Sequence, residues 1–125
     1  MKKNTTETVV VHCIDFRLQA YLDPWLQDKL GHGNYDRVSL VGSVFDIDTV
    51  LVQVRIAKKL HEIRSVVLVN HEDCGAYGAE GTPERHQADL GEASWKIKAL
   101  FPDLEIETYY LHLDGEFEQV SQTNT

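Results

Sequence analysis

Residues Ser65–Asn70 read SVVLVN, with four apolar residues in unbroken succession. A strand with one face in water alternates polar and apolar side chains, so a run without alternation has to be covered on both faces, as inside a parallel sheet. Thr8–Ile14 (TVVVHCI) is a second such run. Arg37–Val41 (RVSLV), after the turn-forming Gly31-His32-Gly33-Asn34, and Glu105–Leu113 (EIETYYLHL) complete four predicted strands. Between them the period changes to about 3.6. Ile47, Val50, Leu51, Val54, Ala57 and Leu60 form one stripe, a helix of roughly four turns with Asp46 or Asp48 as N-cap. Leu90, Ala93, Ser94, Ile97, Leu100 and Phe101 form another, ending before Pro102. Leu18–Leu30 is a third helix, which Pro24 predicts to start, or restart, near Asp23.

Strands alternating with helices predict an α/β fold: a small parallel sheet of about four strands with helices on both faces, joined by right-handed crossovers. Without repeats or a Pro/Gly/Ser linker, residues 1–125 are expected to form a single domain. If the chain winds one way and then returns past its first strand, the order is 2-1-3-4. The first and third strands then lie side by side, and their C-terminal ends border the crevice where open α/β sheets bind ligands. Cys13 ends the first strand; His71 and Cys74 lie just beyond the third.

Twelve Lys+Arg against twenty Asp+Glu give a net charge of −8 with no basic cluster, which disfavours sequence-independent binding to nucleic acid or anionic lipid, so no nucleic-acid or membrane partner is expected. The longest apolar run is Val66–Val69, and MKKNTTETVVV has no long apolar core, so neither a membrane span nor a secretory signal is expected. A cytoplasmic location is the default expectation, with small molecules or proteins as partners. A reducing compartment disfavours a Cys13–Cys74 disulfide, which leaves thiolate chemistry or metal ligation.

His71-x-x-Cys74 alone is a weak signal, since such a spacing arises by chance. Adding Cys13 gives two sulfurs and one imidazole, a set whose softness and geometry suit tetrahedral Zn²⁺. Three protein ligands leave one position open, the arrangement of a catalytic rather than a structural zinc. Cys13-x-Asp15-x-Arg17 adds charged groups at the end of a buried strand, where they are costly. An Asp and an Arg so placed often form only a local ion pair. Beside a zinc-bound hydroxide the pair has a specific use. Arg17 keeps Asp15 ionised and oriented, and Asp15 accepts a hydrogen bond from the hydroxide so that a lone pair faces the substrate.

Cys13-Ile14-Asp15-Phe16-Arg17 followed by His71-Glu72-Asp73-Cys74-Gly75-Ala76 resembles the paired signature of the β-class carbonic anhydrases. The resemblance spans roughly positions 8 to 113 in element order and is specific at the two motifs. It implies zinc held by Cys13, His71 and Cys74, catalysis with the Asp15–Arg17 dyad, reversible hydration of CO2 to bicarbonate by zinc-bound hydroxide, and a homodimer or higher even oligomer. Two sulfur ligands should leave the zinc water less acidic than an all-histidine site would, so activity should rise toward alkaline pH. The sequence departs from the family pattern at Ser39–Asp46, where an Arg-Asn-Ala-Gly run is typical, at Asn70, where Gly is common, and in having almost no chain before the first strand. Val44 and Phe45 are candidates for an apolar CO2 pocket wall. Two alternatives stand beside this reading: hydrolysis of carbonyl sulfide or carbon disulfide on the same scaffold, and a non-catalytic, zinc-stapled binding module. Glu72 and Asp73 read as turn residues, and His86 as a solvent-facing residue at a helix start or a proton relay. His12 should point away from the ligands.

Overall fold

A computed structural model describes residues 4–120. The elements run β1 (Thr8–Cys13), α1 (Gln19–Leu30), β2 (Tyr35–Leu40), α2 (Ile47–His61), β3 (Ser65–His71), α3 (Pro83–Leu100), β4 (Glu105–Leu111) and β5 (Phe117–Gln119), with short 3-10 turns at Phe16–Leu18, Ser43–Phe45 and Gly78–Glu80. The sheet order is β2-β1-β3-β4-β5. The first four strands are parallel in the expected order. The fifth adds antiparallel to β4, pairing Leu111 with Phe117 and Tyr109 with Gln119. Three residues carry too little pattern to announce a strand. The stacking of Trp25 on Phe117, centroids 4.0 Å apart, packs its start against α1.

The valine runs are buried on both faces, as their lack of alternation required. Val9, Val11, Val66 and Leu68 pack with Val50, Val54, Leu90 and Ile97 of α2 and α3. Val10, Val67 and Val69 pack on the other face with Leu22 and Leu26 of α1. Each fully buried valine contributes about 1.5 kcal/mol or more, so β1 and β3 anchor the layer that carries the site.

Two helix starts differ from expectation. α1 begins at Gln19 and runs unbroken through Pro24. The proline gives up a bond toward the Ala20 carbonyl, but Leu18, Leu22 and Leu26 are all buried and hold the helix to the sheet on either side of it. α3 begins at Pro83, two turns before Leu90, with Thr82 accepting from the Arg85 N–H at 3.1 Å. Proline at the first helical position after a threonine cap is the signal that marks this start. Asp46 is the N-cap of α2.

Candidate metal centre

Parallel pairing of β1 with β3 brings their C-terminal ends together. Cys13 is the last residue of β1 and His71 the last of β3, while Cys74 follows in the turn. All three are buried, and their ligand atoms lie within 4.8 Å of one another. The two sulfurs are 4.0 Å apart. The His71 Nδ1–H donates to the Glu72 carbonyl at 2.8 Å, which leaves Nε2 as the lone-pair nitrogen, buried and without a hydrogen-bond partner. A buried nitrogen left unpaired is costly. Facing two sulfurs, it matches the donor set of a soft divalent cation, whose tetrahedral edge with metal–sulfur bonds of ~2.3 Å is close to the observed sulfur separation.

The backbone N–H of Gly42 donates to the Cys13 sulfur at 3.3 Å. Gly42 lies at φ +78, and a Cβ there would stand 2.6 Å from the Phe45 Cβ and 2.8 Å from that of Ala76. Only glycine lets the chain approach the sulfur this closely. Cys13 is held well below its ordinary value, first by the Cys74 hydrogen bond and then by His71 and the Gly42 N–H. Cys74 is pushed up, first by the same pairing and then by burial. Burial pushes His71 down, but the nearby Cys13 sulfur and the Glu72 carbonyl outweigh it and raise its pKa. Protons and a cation would therefore compete for these three donors.

Asp15 caps the 3-10 turn at Phe16–Leu18 by accepting the Arg17 N–H at 2.9 Å. The Arg17 guanidinium closes on the same carboxylate, with Nη2 2.7 Å from Oδ2 and Nε 3.1 Å from both oxygens. The arginine holds Asp15 at about 2, and the carboxylate Oδ2 lies 3.9 Å from His71 Nε2. Asp73, read from sequence as a turn residue, sits at φ 59 and also binds Arg17, through Oδ2 at 3.1 Å and its carbonyl at 2.9 Å. Glu72 is a turn residue too, and its carboxylate accepts the Leu113 N–H at 2.9 Å.

A cleft of about 380 Å³ opens beside Cys13 and Asp15, bounded also by His12, Gln19, Arg37 and Ser39. His12 turns to Arg37, whose Nε donates to its Nε2 at 2.9 Å. Val44 is buried, whereas Phe45 is about half exposed and packs edge-on against Tyr77.

Behind His71 lies a polar network that sequence reasoning missed. Asn70 accepts the Val44 N–H at 3.4 Å and donates to the Tyr77 hydroxyl at 3.1 Å and to His86 Nδ1 at 2.9 Å. Tyr77 in turn donates to Asp89 at 2.8 Å. His86 is 0% exposed, not solvent-facing. The early start of α3 places it four residues before Leu90 on the inward stripe, and extending that stripe back one turn would have found it. Burial, then repulsion from His71, holds His86 at about 4. The unfolded chain binds this proton near pH 6.5, so the unfolded state binds more protons between pH 6.5 and 4 and stability falls as the pH falls through that window. The loss reaches up to ~3 kcal/mol. Urea unfolding at pH 7 and 4.5 should show a steeper loss for the wild type than for His86→Gln. Parallel losses would mean that the imidazole does not oppose protonation.

Residues 2–121 match the family described as "Putative carbonic anhydrase". An uncharacterized protein of Rickettsia conorii is 32% identical over 136 residues, covering 94% of this chain and 73% of its own length. The carbonic anhydrase of Glaciozyma antarctica has a similar structure, with a TM-score of 0.72 at 17% identity over 97% of this chain and 85% of that one. The β-carbonic anhydrase isoform I of Trichomonas vaginalis matches with a TM-score of 0.67 at 14% identity, over 98% and 87%. A carbon disulfide hydrolase matches with a TM-score of 0.64 at 13% identity, over 97% and 81%. At such identities the solved structures speak for the fold. With the family match running along nearly the whole sequence, the chain belongs to the putative carbonic anhydrase family, and its fold is that of the β-carbonic anhydrases it resembles in structure.

Proposed function

We propose that this protein is a zinc-dependent carbonic anhydrase that interconverts CO2 and bicarbonate. One observation carries the reading: three buried soft donors converge at adjacent strand ends with an ionised carboxylate 3.9 Å from the free histidine nitrogen. Cys13, His71 and Cys74 would hold the metal. Bound there, Zn²⁺ supplies the Lewis acidity that makes water a nucleophile near neutral pH.

Asp15 accepts a hydrogen bond from the attacking water and turns its lone pair toward the carbon of CO2. Arg17 keeps that carboxylate ionised and fixed through the bidentate contact. Val44 and Phe45, the sequence candidates for an apolar CO2 pocket wall, do not line the cleft beside Cys13 and Asp15; Val44 packs into the core with Val50 and Leu90. Residues 1–125 are proposed to act as one domain, in the cytoplasm and as a homodimer or higher even oligomer. Exposed Ile14, Phe16, Val41 and Phe45 beside the site support the last of these, since burying them against a second copy would also enclose the pocket. Among the described residues no helix is long and apolar enough to cross a membrane.

Metal analysis with a stopped-flow CO2 hydration assay from about pH 7 to 9 tests the reading. Near one zinc per chain and activity rising with pH are expected. A zinc-loaded protein silent toward CO2 throughout that range refutes the anhydrase reading. Because a carbon disulfide hydrolase shares the fold, the same sample is assayed for sulfide release from carbonyl sulfide and carbon disulfide. Activity there alone assigns hydrolysis, and silence in all assays assigns a zinc-stapled binding module.

A further inference from the structure

Asp73 lies between two of the proposed metal ligands, His71 and Cys74, in a left-handed conformation. As a turn residue it needs only to tolerate a positive φ, which Gly or Asn does as well. Its carboxylate is surplus to that need and is engaged elsewhere. The Nη1 of Arg17 donates to Asp73 Oδ2 at 3.1 Å, and Nη2 donates to the Asp73 carbonyl at 2.9 Å. The adjoining edge of the guanidinium, Nε and the shared Nη2, grips Asp15 at 2.7 to 3.1 Å. Arg17 thus spans the gap between the turn after β1 and the turn after β3, 56 residues apart in sequence.

The oxygen that Arg17 holds most tightly, Asp15 Oδ2, is also the one 3.9 Å from His71 Nε2. A carboxylate so near three buried donors is a competing fourth ligand, since it needs only a short displacement to join them. What retains it is its arginine. The side chain of Arg17 is 36% exposed, and a single exposed ion pair is weakly held because water competes and a long side chain loses rotamer freedom. A second anchor on the adjoining edge removes that freedom once for both contacts.

Building on the zinc reading above, we propose that Asp73 is a positioning residue: it pins the edge of Arg17 adjoining the one that grips Asp15 and so keeps the Asp15 carboxylate out of the metal's coordination. The turn that supplies two ligands thereby also sets the dyad. An open coordination position depends on this clamp, and a neutral residue at position 73 shifts the balance toward closure by Asp15.

The test uses the full chain loaded with Co²⁺, whose visible absorption distinguishes a carboxylate from solvent in the coordination shell, with azide as the probe anion. Wild type should bind azide with a clear spectral change. Asp73→Asn, which keeps the left-handed preference, and Asp73→Gly, which relieves it, should both take up cobalt but show a carboxylate-like spectrum and azide binding at least ~10-fold weaker. Adding Asp15→Asn to Asp73→Asn should restore azide binding, because the competitor is gone. Spectra and azide affinities of both single variants superposable on wild type would overturn the positioning role while leaving the metal site standing. A wild type that takes up no cobalt would overturn the metal reading and this one with it.

Discussion

Asp15→Asn is expected to leave about one zinc per chain and to lower CO2 hydration at neutral pH by ~100-fold or more. The substitution keeps the size of the side chain but replaces an acceptor-only carboxylate with an amide that must donate from one of its two positions. In the wild type both Asp15 oxygens accept from Arg17, and Oδ2 faces His71 Nε2 at 3.9 Å. The amide cannot satisfy Arg17 and the attacking water together. Arg17→Ala should cost a comparable factor for a different reason, because it frees Asp15 to compete with water for the metal. Zinc content measured beside the hydration rate decides the matter. Zinc lost in step with activity in Asp15→Asn would make Asp15 a ligand rather than an orienting base.

Cys74→Ser should reduce bound zinc to near background and lower the thermal midpoint by on the order of 10 °C, with activity lost entirely. A serine hydroxyl stays protonated where the cysteine sulfur would give up its proton to a cation, so the site keeps only two good donors. Metal that binds the folded state alone stabilises it by mass action, and removing the metal from wild type should reproduce the loss. Metal-stripped wild type and Cys74→Ser should therefore melt together. A variant that retains full zinc, or a wild type indifferent to chelation, would contradict the assignment of Cys74.

The parts of the centre that were legible in the sequence are those where one short motif carries all the chemistry. Cys13, Asp15 and Arg17 fall within five residues, and His71 and Cys74 within four. Their meeting was legible only conditionally: unalternating strands belong inside a parallel sheet, and the first and third lie side by side if the chain winds one way and then returns past the first. The partners that support them were not. Asn70 reads as a departure at a strand end, yet it ties His86, Tyr77 and the Val44 N–H together. Those partners lie 7 to 26 residues away in three separate segments of the chain. Gly42 is one glycine among eight until the neighbouring Cβ positions of Phe45 and Ala76 show why no larger residue fits.

Periodicity and local chemistry by themselves announced the four strands, the three helices and the two motifs, because each of these is written in residues close in sequence, whereas the order 2-1-3-4 followed only on the condition that the chain returns past its first strand. The tertiary structure alone decided that β5 closes the sheet beside β4, that Pro24 is carried inside α1, that His86 is buried, and that Asp73 reaches across to Arg17. The physical reason is common to all four. Burial against distant elements can hold a three-residue strand, a proline in a helix or a polar side chain in a conformation that its own neighbours do not favour, and the strength of that hold depends on contacts that no local window of sequence contains.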